Sequence, residues 1–269
     1  MSGTLYLVGT PIGNLGDITL RAIETLKTVD VIACEDTRHT LALLNKLEIK
    51  KPLISYYKQK EREGSEEITN LLLSGKNVAL VTDAGMPCIS DPGSILVKKL
   101  FESGLSYTVV PGASAFVSAI ALTGVIGTFT FLGFLPEKRK DYQALLEQYK
   151  CVNTVLLIYS APHDVNDTIR KCGEILGNRS FYAVKEITKI YENIIKGRLC
   201  ETAIETPKGE FVLVIEPNEE TEKPIDESSI KETLLSLINS GVNKKDAVKE
   251  VALSLNVSKN LVYKISLTL

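Results

Sequence analysis

The 269-residue sequence has no tryptophan, and its five cysteines (Cys34, Cys88, Cys151, Cys172 and Cys200) are odd in number, scattered and without a C-x-x-C pair. That spacing argues against a disulfide framework or a zinc knuckle and leaves buried, reduced thiols. No stretch approaches the roughly 18–20 continuous apolar residues that span a bilayer. The opening Met1–Gly9 has neither a basic region nor a long apolar run, so no secretory signal is expected there. A cytoplasmic protein with no membrane partner is predicted. A strong positive field is also missing. The net charge is −2, although Ser228–Leu269 carries six lysines against Glu232, Asp246 and Glu250. This basic tail is compatible with RNA contact but does not establish it.

What is present is an average globular composition, 44% hydrophobic and 24% charged, which excludes collagen-like, mucin-like and disordered chains. A chain of this length buries about three quarters of its unfolded surface, enough for a core without staples. Apolar runs of strand length alternate with helical patterns through the first 125 residues. Strands are predicted at Thr4–Val8, Val31–Cys34, Leu53–Tyr56, Val78–Thr82 and Tyr107–Val110. Helices are predicted at Thr19–Thr28, Arg38–Leu47, Glu66–Ser74, Ser94–Ser103 and Ala113–Thr123. Strands without strict alternation, three of the helices being followed by a glycine, indicate a parallel sheet covered on both faces. A second set follows, with strands at Thr130–Leu132, Thr154–Tyr159, Phe181–Val184, Tyr191–Ile195 and Phe211–Ile215 and helices at Lys140–Lys150 and Asp164–Leu176. Its hairpin-like close points to a mixed sheet.

The expected fold class is therefore α/β. Residues 1–117 form a parallel-sheet lobe and 118–216 a mixed-sheet lobe, with a cleft between them. An acidic, proline-bracketed linker at 217–227 and a helical, helix-turn-helix-like module at 228–269 complete the chain. In that module Asn243 and Ser258 are placed as N-caps.

Ligands of open α/β sheets bind outside the carboxyl ends of the strands, so the loops after the first-lobe strands are the ones to read. They are Gly9–Asp17, Glu35–Thr40, Asp83–Gly93 and Pro111–Ala115, all rich in Gly, Pro, Ser or Asp and all on one edge. The first is neither G-x-G-x-x-G nor a P-loop, so a nicotinamide oxidoreductase and a P-loop nucleotidase both fail on spacing. Asp83–Gly93 is longer than the about 2–6 residues a strand-to-helix connection needs. Such loops offer backbone N–H and C=O groups to a ligand with a polar rim and an apolar body.

These loops resemble the successive motifs of the tetrapyrrole-methylase-like superfamily, and most closely its ribosomal branch, the ribosomal RNA small subunit methyltransferase I family. The strings Leu5–Thr19, Glu35–Thr40 and Asp83–Gly93 carry the resemblance. Gly133–Pro136, Tyr159–His163, Lys185–Lys189 and Lys208–Glu210 extend it, so that it covers residues 4–216. It implies S-adenosylmethionine as methyl donor with no metal, and a homodimer. The implied reaction is methylation of the ribose 2′-oxygen of a cytidine in the decoding region of 16S rRNA, within the small ribosomal subunit. The implied donor contacts are Pro11, Asp83, Ala84, Gly85, Ser114, Ala115 and Ser160.

For the reaction itself, Glu35 or Asp36 is the candidate to orient or deprotonate the hydroxyl, with Arg38 on a neighbouring phosphate. The bland alternative is that Asp36 caps the next helix and pairs with Arg38. Lys138, Arg139, Lys140, Lys185 and Lys189 are candidate RNA phosphate anchors. Lysines of the tail either join them or belong to a dimer-packing element. Two other readings remain: the same fold acting on a tetrapyrrole precursor, and a metabolite-sensing DNA-binding regulator. The second needs base-reading Arg, Asn or Gln on Ser258–Leu267, where the sequence offers Lys259, Asn260 and Lys264.

Overall fold

The computed structural model describes residues 2–218, 227–255 and 257–269. Residues 1–150 with 154–217 form one compact unit, and 151–153 with 218–269 the other. Most of the predicted linker, residues 219–226, lies outside the described residues.

The first sheet of the larger unit contains β1 (Leu5–Val8), β2 (Val31–Cys34), β3 (Leu53–Ser55), β4 (Val78–Val81) and β5 (Tyr107–Val110), in the order β3-β2-β4-β1-β5. Every pairing in it is parallel. The central strands β2 and β4 are buried along their whole length. Both faces are covered, one core gathering Val8, Leu26, Ile32 and Leu44, the other Leu5, Ile68, Leu80 and Leu96. This double burial is why the strands read as unbroken apolar runs. The helices are α1 (Leu20–Thr28), α2 (Thr37–Lys46), α3 (Glu61–Leu73), α4 (Ser94–Glu102) and α5 (Ala115–Thr123). Thr19 caps α1 through Ala22 N–H, and Asp36 caps α2 through Arg38 N–H.

The helix predicted to start at Glu66 begins at Glu61 instead. Gly64 and Ser65, in the first turns of this helix, are where the buried Tyr56 docks. A Cβ on Gly64 would lie 2.7 Å from the Tyr56 ring, and the Tyr56 hydroxyl is 3.1 Å from Ser65 Oγ.

The second sheet contains β6 (Phe129–Phe134), β7 (Val155–Ser160), β8 (Ser180–Lys185), β9 (Asn193–Arg198) and β10 (Phe211–Ile215), in the order β6-β7-β10-β8-β9. Only β6 and β7 run parallel; the other pairs are antiparallel, so the sheet is mixed. Helices α6 (Arg139–Glu147) and α7 (Val165–Leu176) pack on one face around Leu146, Ile169, Phe181, Phe211 and Leu213. Against the other face lies α5, whose Ala119 joins Val155, Leu157, Val184 and Val214. Packing of the first lobe's last helix on the second lobe's sheet makes the two sheets one unit.

Two strands differ from the sequence reading by more than one residue at an end. β6 runs on to Phe134 through a bulge at Gly133, which has φ +68. The strand predicted from Tyr191 begins only at Asn193, because Glu186–Glu192 forms a loop with Glu186 and Thr188 in the left-handed region.

The smaller unit holds α8 (Glu227–Asn239), α9 (Lys244–Ser254) and α10 (Lys259–Ser266) around Ile230, Leu234, Val248, Val251, Val262 and Ile265. Asn243 and Ser258 cap α9 and α10 as expected, accepting from Asp246 and Leu261 N–H. Among the described residues, no helix is long and apolar enough to cross a membrane.

Candidate active site

Parallel pairing of all five strands in the first sheet puts the loops after β1, β2, β4 and β5 on one edge. They are joined backbone to backbone. Thr10 N–H donates to the Gly85 carbonyl at 2.9 Å, and Gly85 N–H returns a bond to Thr10 at 3.2 Å. A Cβ on Gly9 would sit 2.7 Å from Gly112 Cα, a contact no side chain tolerates. The loop after β4 is anchored at its far end by Glu61, whose carboxylate accepts from Gly93 N–H at 2.8 Å and Ile95 N–H at 3.4 Å. It thereby serves the start of α4, since Gly93 has no side chain to do so. Within that loop Cys88 and Ser90 both hold φ near +66. Such conformations cost about 1–3 kcal/mol each and persist where the surroundings impose them.

These loops and the second sheet enclose a cavity of about 470 Å³. Glu35, Asp83, Ala84, Gly85, Ser90 and Asp91 line it from the first lobe, with Ser114 and Ala115 at the start of α5. Phe134, Tyr159, Ser160, Ile187, Glu210 and Val212 close the other side. The Phe131 and Phe134 rings pack edge-on against Tyr159, with centroids 4.9 and 5.5 Å away. The Gly133 bulge brings this wall up to the strained loop: a Cβ there would be 3.1 Å from Ser90 Oγ. Among the described residues, four carboxylates and no Lys, Arg or His line the cavity. Burial, then the charges of Glu35 and Asp83, push the Asp91 carboxyl up to about 6. Burial, then Asp83 and Asp36, raise Glu35. Asp91 was given no role in the sequence reading; its signals were its place in an overlong loop and in the Asp83–Gly93 string that carries the resemblance.

A second pocket of about 340 Å³ shares Ile12, Asp83, Ala84 and Glu210 with the first. Unlike the first it is lined by basic side chains, Lys46 and Lys189, together with Pro11, Gly13, His39 and Leu43. His39 Nδ1 lies 3.7 Å from Asp83 Oδ2. Among the described residues, no group of three or more His, Cys, Asp or Glu side chains is arranged to hold a metal ion.

The tetrapyrrole (corrin/porphyrin) methylase family signature matches residues 4–203. The ribosomal RNA small subunit methyltransferase I of Bacillus subtilis (strain 168) is 41% identical over 97% of this chain and 93% of its own. The protein of the same name from Thermotoga maritima is 43% identical, with 81% of this chain matching its entire length. The chain belongs to the ribosomal RNA small subunit methyltransferase I family. Its fold is also that of the uroporphyrin III C-methyl transferase of Thermus thermophilus, at 19% identity and a TM-score of 0.55 over 79% of this chain and 97% of that one.

The residues that the family motifs single out distribute as follows. Asp83, Ala84, Gly85, Ser114, Ala115 and Ser160 come together on the larger cavity, whereas Pro11 lines the second pocket. Ser114 stands at the N-cap of α5 but its hydroxyl makes no capping bond. Ser160 is buried, 3.2 Å from Thr168 Oγ1. Of the three catalytic candidates only Glu35 lines the cavity. Asp36 caps α2 and holds the Arg38 guanidinium in a two-point pair, at 3.1 Å to Oδ1 and 2.7 Å to Oδ2. Those hydrogen bonds hold the Asp36 carboxyl well below the usual carboxylate range, which makes it a poor proton acceptor.

Lys138 is the N-cap residue of α6, and Lys138, Arg139 and Lys140 are all exposed. Lys185 ends β8. Lys189 is committed internally, donating to Glu186 at 2.9 Å and Glu210 at 2.8 Å.

Proposed function

We propose that this protein uses S-adenosylmethionine to methylate the ribose 2′-oxygen of a cytidine in the decoding region of 16S rRNA, within the small ribosomal subunit. The observation that carries the donor assignment is the character of the larger cavity, apolar in its body and lined by four carboxylates with no cationic side chain. A polyphosphate nucleotide is disfavoured there, whereas a donor bearing a sulfonium and an ammonium is attracted. Asp83, Ala84, Gly85, Ser114, Ala115 and Ser160 would hold it by short side chains and backbone, and Phe134, Tyr159 and Val212 would cover its apolar faces. When bound, the donor supplies a methyl group already activated for transfer to oxygen.

The chain's own part is alignment, exclusion of water and movement of one proton. Asp91, with its carboxyl near 6, is ionised at neutral pH and basic enough to take a proton from a hydroxyl presented at the cavity. After burial, the charge of Glu35 helps keep that basicity high. Asp36 and Arg38 shape the turn that delivers Glu35 rather than acting on the proton. The second pocket, sharing a wall with the donor cavity and carrying Lys46 and His39 beside the paired Lys189, suits an acceptor nucleotide. The exposed run Lys138-Arg139-Lys140 at the positive end of α6 suits RNA phosphate.

Support for a homodimer comes from Val109, Val117, Leu122, Ile126 and Phe129, apolar residues left exposed along β5–α5–β6. A cytoplasmic location accords with the proposed substrate. Two lobes at 1–117 and 118–216, a link at 217–227 and a helical module at 228–269 complete the reading, with the division between the lobes falling inside α5.

The deciding experiment is methyl transfer from labelled donor to small ribosomal subunits lacking native modifications, read as nucleosides by mass spectrometry. 2′-O-methylcytidine is the expected product. Label only in a parallel tetrapyrrole precursor would refute the RNA assignment and retain the donor. Asp83→Ala is expected to abolish donor binding in calorimetry; unchanged affinity would remove the loop after β4 from the donor site.

A further inference from the structure

The loop between β8 and β9 presents two apolar side chains at its crest, Ile190 at 95% exposure and Tyr191 at 76%. Scattered exposed hydrophobics are ordinary, but this loop is not free to fold them away. Ile187 is buried in the core under it. Thr188 N–H donates to the Glu192 carboxylate at 2.7 Å, Lys189 N–H to the Glu186 carbonyl at 2.9 Å, and Glu192 N–H to the Lys189 carbonyl at 3.1 Å. The Lys189 ammonium ties Glu186 to Glu210, and its alkyl chain lies on Gly13, where a Cβ would be 2.6 Å away. Two non-glycine residues, Glu186 and Thr188, hold positive φ to make this shape, and Thr188 Oγ1 is buried without a hydrogen-bond partner among the described residues. A β-branched residue in that region is a marked outlier, and strain of this kind gathers at functional segments.

We propose that Ile190 and Tyr191 are an RNA-unstacking wedge, with Tyr191 the platform on which a base next to the acceptor nucleotide stacks. The inference rests on the RNA-methylation reading above and adds a recognition element to it. Its position follows from continuity with the second pocket, because Lys189 lines that pocket and is the residue before the wedge. Its chemistry follows from the charges around it. The Lys189 cation is neutralised by two carboxylates, so the crest of this loop has no lysine left to offer a phosphate and must touch RNA through its apolar faces. A 2′-hydroxyl in a folded subunit is reached most readily when its nucleotide leaves the stack, and exposed aromatic faces hold such displaced bases.

The test compares wild type, Tyr191→Ala, Ile190→Ala and Tyr191→Phe in the full-length protein, using unmethylated small ribosomal subunits as substrate. Removing the platform is expected to lower kcat/KM by about 5- to 150-fold, the range for loss of one base–aromatic stack. Tyr191→Phe should restore it, since the ring face and not the hydroxyl does the stacking. Donor affinity and oligomeric state should not move, and the salt dependence of subunit binding should keep its slope, because no phosphate contact is lost. Unimpaired transfer by Tyr191→Ala alongside an active wild type would overturn the wedge alone. A loss accompanied by dissociation of the oligomer would also overturn it, making the loop a protein contact. A wild type that methylates no RNA would overturn both readings.

Discussion

Replacing Asp91 with asparagine should make the protein more stable at neutral pH while removing its proton acceptor. The carboxyl is raised from 3.8 to about 6, first by burial and then by the charges of Glu35 and Asp83. The folded state therefore binds the Asp91 proton more tightly than the unfolded chain does. Below about pH 4 the group is protonated in both states and costs nothing. As the pH rises through 6 the folded protein must ionise a carboxyl it holds unfavourably, and the penalty is complete above that. At 1.36 kcal/mol per pH unit the full displacement corresponds to about 3 kcal/mol. Screening at a half-exposed group reduces this to about 1–2 kcal/mol. Urea unfolding of wild type and Asp91→Asn at pH 4 and pH 7.5 reads the effect directly. The variant should gain about 1–2 kcal/mol at the higher pH and little at the lower, with m unchanged. Glu35→Gln should shrink that gain, because it removes one of the repelling charges. A gain independent of pH, or none, would refute the account of Asp91 as a destabilised carboxylate. In the methyl-transfer assay the wild-type kcat/KM should rise through about pH 6, and Asp91→Asn should lose most of it, by about 10²–10⁴-fold for a general base.

Further outcomes follow from other parts of the structure. Gly9→Ala should destabilise the larger unit by about 1–3 kcal/mol in thermal unfolding and weaken donor binding in calorimetry, because its methyl would meet the Gly112 backbone. Asp36→Asn should keep much of the activity while Glu35→Gln loses it, since only Glu35 lines the cavity; equal losses would put Asp36 back among the acting groups. Truncation after Asn218 should leave the far-ultraviolet signature of the remaining α/β unit and its donor affinity intact, as the helical module has its own core.

How far the sequence reached can be seen at individual elements. The unbroken apolar runs of β2 and β4 announced a sheet buried on both faces, and the caps Asn243 and Ser258 were legible because a cap is a local bond. The gathering of four loops on one edge followed from parallel order alone, and six of the seven residues proposed to bind the donor line one cavity. Local patterns failed where a distant contact decided the outcome. The first turn of α3 exists because Gly64 and Ser65 receive Tyr56. Tyr191 has the character of a strand residue, yet it stands on a loop whose shape is fixed by Glu186, Glu192 and Glu210. Asp36 and Arg38 were weighed as catalytic, and their mutual pairing points them to the turn instead.

The sequence by itself determined the fold class, the edge on which a ligand binds and the resemblance to a methylating family, because periodicity and loop composition are properties of neighbouring residues. Tertiary structure alone decided the chemistry of the charges. Asp91 acquires its basicity from burial first and then from Glu35 and Asp83, which lie 56 and 8 positions before it in the chain, and the Lys189 ammonium is paired with Glu210, 21 positions after it. A carboxylate or an ammonium has no fixed role in a sequence; burial and the charges folded against it assign one.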